Sequence, residues 1–342
     1  MHRFIARHLS TSCPIGYRVT PAHLSASPLL DLKEGSSLYV VGGLYGNLQA
    51  LRFIEDLTAS HSDSPTVIYN GDFHFFDKNR AVFDEVQRKI VGNESAFVLA
   101  TAGNVEKEIA SKDSVSCGCD YPEYTDPNVT KRSDAIVGLL KVNAEPHAAD
   151  LDSLPILRRV ALTALDSTKI KVGIIHGSLS SLSGWEYAVE NVEPIDSKLR
   201  SDLNISPDYP ITPVSKIVED MEEADVDVLC CTHTCLPFVQ DLGGGKVIVN
   251  NGSAGMGNFK GDRSGLITRI LTGDEEAGGE VVYEIEAGGC RVQAIKVDFD
   301  FEAFWEEFSR EWREGSPARE SYESRISRGV GFWTTDRAAR RI

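Results

Sequence analysis

The chain has 342 residues, 42% of them hydrophobic and 25% charged, with a formal net charge of −16 at pH 7. That composition suits a folded protein with a substantial core, and no apolar run approaches the roughly 18 to 20 residues that span a bilayer. The acidic balance repels a polyphosphate backbone, which argues against general nucleic-acid binding and favours small or neutral partners.

Residues 1–30 carry Arg3, Arg7 and Arg18, no acid, and several Ser and Thr. This is the composition of a mitochondrial or plastid targeting segment, and Phe4, Ile5 and Leu9 fit one face of a short helix. A mitochondrial location is expected on that ground, with a disordered basic start on a cytoplasmic protein as the alternative. The folded domain is expected over 31–299. Its apolar strands alternate with amphipathic helices, the pattern of an α/β protein. A strand is predicted at 37–41, a helix over 47–60 with Leu48, Leu51, Ile54 and Leu57 on related faces, a strand at 66–71, a helix over 81–90 and a strand at 95–103. Residues 112–130, rich in Ser, Asp, Pro, Cys and Tyr, read as a loop insertion. Strands follow at 159–165 and 170–177, then a polar, helix-prone stretch from 184 to 224. Further strands at 226–233, 243–253, 264–271, 280–286 and 290–299, with glycine turns between several of them, read as an antiparallel run.

Residues 300–342 are expected to form a C-terminal amphipathic helix and a basic tail. Phe301, Phe304, Trp305, Phe308 and Trp312 recur at helical spacing, a stripe expected to pack on the sheet edge, with a protein-partner surface as the alternative. The final "DRAARRI" is expected to be mobile. Seven cysteines, two of them adjacent in an apolar run (Cys230 and Cys231), do not suggest a disulfide framework. Cys117 and Cys119 read as two thiols of a surface loop, because no second Cys/His pair stands at finger-like spacing.

In open α/β sheets, functional groups collect where strands end. "GGLYGN", "NGDFHFFD", "AGNVEKE", "IIHGS" and "CTHTCLPF" each follow an apolar strand. In this order they resemble the calcineurin-like metallophosphoesterases, whose strand-end motifs run Asp-x-His, Gly-Asp, Gly-Asn-His-Asp/Glu, His and Gly-His-x-His. The resemblance spans Ser37 to Gly257, includes the tail "VIVNNGSAGMG", and points to a divergent branch with an incomplete first-metal site. It implies an α/β sandwich of two mixed β-sheets flanked by helices, with two cations bridged by an aspartate.

Carried over residue by residue, the resemblance places Gly43 and Tyr45 where the family has the Asp and His of its first motif. The bridging aspartate is Asp72. Asn104 is retained, but Val105 replaces the histidine beside it. His176 and His233 are retained, and Cys235 replaces the last histidine. One implied ligand set is therefore complete (Asp72, Asn104, His176 and His233), and two imidazoles, a carboxylate and an amide oxygen suit Zn²⁺, Mn²⁺ or Fe²⁺. The other set keeps only Asp72.

Three residues are candidate substitutes for what is missing. Cys235 as thiolate is a soft ligand, Tyr45 a hydrogen-bond donor to a substrate oxygen, and His74 an acid or ligand at Asp-x-His spacing. The plainer readings are an apolar filler, a packing ring and a loop histidine bonded to backbone. Asn47, Lys107 and Arg263, with Lys260, are candidate contacts to an anionic substrate, against the plainer reading of solvated charges.

The resemblance thus implies a metal-dependent phosphoesterase that uses a metal-bound hydroxide at a largely mononuclear site. One divalent cation per chain and a small phosphorylated substrate are expected. The alternative is a pseudoenzyme of the same fold that serves as a binding or scaffold subunit, for instance in an organellar assembly. A nucleotide-binding dehydrogenase is set aside, because no Gly-x-Gly-x-x-Gly follows a strand with an acid about 20 residues on.

Overall fold

A computed structural model describes residues 15–61, 65–93, 95–164, 167–273 and 278–341. Its strands are β1 (Leu29–Asp31), β2 (Leu38–Val41), β3 (Thr66–Asn70), β4 (Val98–Thr101), β5 (Leu157–Thr163), β6 (Lys169–Ile175), β7 (Val228–Cys231), β8 (Phe238–Gly243), β9 (Lys246–Asn250), β10 (Gly265–Leu271), β11 (Val281–Ala287), β12 (Cys290–Val297) and β13 (Ala339–Arg341). The helices are α1 (Pro21–Ala26), α2 (Leu48–Ala59), α3 (Arg80–Ile90), α4 (Asn104–Ala110), α5 (Pro127–Ala144), α6 (Ala148–Ser153), α7 (Ser197–Asp202), α8 (Val214–Glu223), α9 (Phe301–Glu311) and α10 (Pro317–Arg328). Two mixed sheets result, in the orders β1-β5-β6-β7-β9-β8-β13 and β11-β12-β10-β2-β3-β4. This is the expected α/β sandwich flanked by helices.

The period of two in β2 shows why the sheets stack. Leu38 and Val40 join a core shared with Val172, Ile174 and Val228 of the other sheet, while Tyr39 and Val41 face a second core with Leu51, Ile54 and Phe83 of the covering helices. Pairing of β2, β3 and β4 is parallel, as is that of β6 and β7. Five carboxyl-terminal strand ends, and the loops after them, are thereby gathered on one side of the sandwich. The β11–β12 hairpin closes on Gly288 (φ 62°) and Gly289 (φ 82°), a conformation that two-residue hairpin loops require.

Several expectations need correction. The leader boundary at residue 30 is too late: α1 and β1 belong to the fold, β1 pairs in parallel with β5, and Tyr17 is buried. The targeting reading of residues 1–14 lies outside the described residues. The loop insertion ends earlier than residue 130, because Asp126 caps α5 and Pro127 occupies its first turn, a helix-start signal that composition alone obscured. Between the strands expected at 226–233 and 243–253 lies a further one, β8, and β7 pairs in parallel with β9, so the second half is not purely antiparallel.

The C-terminal tail is ordered. β13 pairs in parallel with β8, and Arg340 donates to Val192 O (3.1 Å). The aromatic stripe of α9 does not lie on a sheet edge either. It packs on the loop after β3, with the Phe76 and Phe308 rings 5.3 Å apart and Trp312 Nε1 donating to Phe76 O (2.7 Å). Phe304, Phe308 and Trp312 are buried there, which removes them from any partner surface.

Candidate metal centre

Asp72 follows β3 with φ 53°, a left-handed conformation uncommon for a residue with a side chain. Gly71 before it has φ 75°, and a Cβ there would lie 2.4 Å from Gly103 N and 2.6 Å from His176 Nδ1. Only glycine allows the loops after β3 and β4 and the end of β6 to approach so closely. Asn104 opens α4, His176 directly follows β6, and His233 follows β7 by two residues.

These side chains converge. His176 Nε2 lies 3.3 Å from Asp72 Oδ2, 3.2 Å from Asn104 Oδ1 and 3.3 Å from His233 Nδ1. Donor atoms of Asp72, His176 and His233 all fall within 4.8 Å of one another. The opposite nitrogen of each imidazole is held by a carbonyl: His176 Nδ1–H donates to Asn70 O (2.8 Å), and His233 Nε2–H to Cys119 O (2.9 Å). A carbonyl only accepts, so those nitrogens carry hydrogen, and in the neutral rings the lone pairs of His176 Nε2 and His233 Nδ1 point into the cluster. Asn104 is fixed likewise: its Nδ2 donates to Cys117 O (2.9 Å), leaving Oδ1 as the inward atom. Two imidazole nitrogens, a carboxylate oxygen and an amide oxygen fit a borderline divalent cation.

Electrostatics agree with that donor set. Burial, then the neighbouring His176, lowers the His233 pKa to about 4, so its ring is neutral near pH 7. Burial also lowers the His176 value, but the Asp72 carboxylate outweighs it and the net direction is up. Asp72 goes down, because His176 and the Val105 N–H more than offset its burial.

Other expected site residues stand elsewhere. His74 is fully buried with both nitrogens engaged, by Asp77 (2.6 Å) and Gln87 (3.1 Å), and its ring stacks on Phe83, so it is neither acid nor ligand. Cys235 is outside the cluster of donors, and burial raises its thiol pKa to about 11, against the thiolate expected of a ligand. Its partner is Tyr45, whose hydroxyl lies 2.6 Å from Sγ. The Tyr45 ring covers Gly43, where an added Cβ would meet Cζ at 2.3 Å. The positions that the resemblance gives to a first metal are therefore filled by a hydrogen-bonded pair, and Tyr45 is not free to meet substrate.

The expected substrate contacts are structural. Asn47 caps α2 by accepting from Gln49 and Ala50 N–H, and donates to Gly255 O (2.9 Å). Lys107 holds the backbone carbonyls of Asp152 and Leu154. Arg263 lies over the Phe301 ring at 4.0 Å and pairs with Glu302, whereas the Lys260 side chain is exposed.

Sequence reasoning missed Glu106 and the cover. Glu106 is fully buried and accepts four backbone N–H groups, from Asp72, Phe73, His74 and Gly103. Burial and the Asp72 charge push its carboxyl pKa up, against the pull of those donors. Its position three residues after the cap, in "GNVE", and at the Asp/Glu place of the third strand-end motif, was the available signal. The cover is formed by the loop of Cys117 and Cys119 with Trp185, which donates to Cys119 O (3.0 Å) and sets its ring 5.4 Å from that of His233. That contact is made largely through a backbone carbonyl, which side-chain identity does not encode.

No protein-family model matches the chain, and no curated protein matches it. Among solved structures it is similar to a metallophosphoesterase from Sphaerobacter thermophilus, at 18% identity and a TM-score of 0.48, covering 87% of this chain and 100% of that one. It is also similar to a hypothetical protein from Pyrococcus horikoshii OT3, at 17% identity and a TM-score of 0.50, covering 86% of this chain and 99% of that one. The shared architecture is the α/β sandwich of two mixed sheets flanked by helices. At these identities the likeness speaks to the fold alone.

Proposed function

We propose that the chain is a metal-dependent phosphoesterase, a phosphoric ester hydrolase that holds one divalent cation (Mn, Zn or Fe) through Asp72, Asn104, His176 and His233. The observation that carries this reading is the convergence of four donor atoms, three of them fixed in inward orientation from outside, by Asn70 O, Cys119 O and Cys117 O. A cation bound there supplies Lewis-acid polarisation of a phosphoryl oxygen. The chain's own residues hold the donors in place: Val105 N–H steadies Asp72 Oδ1 (3.3 Å), and the buried surroundings strengthen each electrostatic contact. A small phosphorylated substrate suits an acidic protein better than a nucleic acid does.

A second reading, a non-catalytic binding or scaffold module of this fold, is favoured by one specific observation. Asp72, His176 and His233 are 5%, 0% and 8% exposed, beneath the Cys119 loop.

The test measures metal content by mass spectrometry on full-length protein purified without chelator, together with hydrolysis of bis(p-nitrophenyl) phosphate and p-nitrophenyl phosphate. About one equivalent of metal, with metal and hydrolysis both lost in Asp72→Ala and His176→Ala, is the expected result. Metal without turnover of either ester supports the scaffold reading, and absence of metal defeats both the ligand assignment and the enzyme.

A further inference from the structure

We infer that Glu106 is a positioning residue of the metal centre: its carboxylate locks the Asp72 loop to the Asn104 loop, so that both ligands present their oxygens at a fixed separation. This rests on the metal-binding reading above.

The geometry is specific. Glu106 Oε2 accepts from Asp72 N–H (2.7 Å) and Gly103 N–H (2.9 Å), and Oε1 accepts from Phe73 N–H (3.0 Å) and His74 N–H (3.3 Å). Three successive N–H groups turned toward one point form a concave anion seat, and here the anion is a side chain of the next strand-end loop. The bond to Asp72 N–H acts on the ligand whose backbone is left-handed, the conformation most in need of external support. Gly103 is the residue directly before Asn104. A reciprocal bond runs the other way, from Val105 N–H to Asp72 Oδ1 (3.3 Å), so four hydrogen bonds join the two loops. Glu106 itself is 0% exposed and holds only backbone, so it acts through the ligands rather than on substrate.

A purely structural carboxylate would lower stability and leave the affinity of the assembled site unchanged. Glu106→Gln separates the two cases, because its amide turns an NH₂ toward N–H donors while keeping size and shape. The experiment titrates full-length protein with Co²⁺ alone, following the visible d–d absorption, with a thermal melt of each metal-free variant. Asp220→Asn is the control, a buried carboxylate on α8 that accepts from Tyr187 (3.0 Å). The expected result is Co²⁺ binding weakened about 10- to 100-fold in Glu106→Gln with an altered absorption band, and unchanged affinity in Asp220→Asn even where its Tm falls. Wild-type affinity and band shape in Glu106→Gln overturn the inference. Should Glu106→Gln fail to fold, Glu106→Asp is read instead: it keeps the charge but is one methylene short, weakened binding is expected, and wild-type binding is the overturning result. Wild-type protein that takes up no Co²⁺ would sink the metal centre itself, whereas normal uptake by wild type and variants alike sinks only the role of Glu106.

Discussion

The Asp72 carboxylate, 3.3 Å from His176 Nε2, favours a proton on that ring, and a metal bound there would compete with it. The Asp72 carboxylate raises the His176 pKa against its burial, so metal-free protein retains a proton on that ring to higher pH than an ordinary histidine. The competing proton sets the sign: affinity for a divalent cation rises with pH until the ring is neutral, then levels off. Calorimetric Co²⁺ titrations from about pH 6 to 9, in buffers of different ionisation enthalpy, should show proton release that diminishes as pH rises. Binding that is flat across that range, with no proton released, would contradict the Asp72–His176 pairing. At this scale the motif residues Asp72, Asn104, His176 and His233 were legible, because each follows a strand end in recognisable order. His74 was misjudged because Asp-x-His spacing says nothing about direction: after a left-handed Asp72, the chain turns the His74 ring away toward Asp77 and Phe83.

Among the elements, α9 shows how far periodicity reaches. Its aromatic spacing identified an apolar face, but not the surface it covers, which is the loop carrying Phe76. Trp312, at the end of this helix, is fully buried, donates to Phe76 O and receives the Lys78 ammonium 4.6 Å from its ring centroid. Trp312→Ala should cost about 3 to 5 kcal/mol in urea unfolding, as large buried aromatics do. A loss below about 1 kcal/mol would mean that α9 is peripheral to the core. The Cys117–Tyr124 region gives the opposite lesson. Its composition marked a loop, yet Cys117 and Cys119 are buried rather than surface thiols, and they act through backbone carbonyls, which any residue type supplies.

Across the whole molecule, both described ends of the chain close the larger sheet, β1 at one edge and β13 at the other. The Asp196–Arg337 pair fastens the β13 side. Burial raises the Asp196 pKa, but the Arg337 guanidinium and the Leu199 N–H reverse it, and the folded value lies below the ordinary one. The unfolded chain therefore takes up this proton first, so the contribution is present above about pH 4 and fades as pH falls through the folded value. Asp196→Asn keeps the α7 cap and removes the charge. Solvent screening limits the expected loss near pH 7 to about 0.5 to 1 kcal/mol, and the gap from wild type should close on acidification; a gap that stays constant down to about pH 3 would show that charge is not involved. The sequence by itself determined the α/β class and the order of strand ends along which Asp72, Asn104, His176 and His233 recur, because hydrophobic period and local motif are written in neighbouring residues. Tertiary structure alone decided that Tyr45 and Cys235 bond to each other, that Glu106 ties the Asp72 and Asn104 loops, and that β1 and β13 complete a sheet. Those contacts join residues distant in the chain or made through backbone atoms, and their geometry exists only once the two sheets have packed.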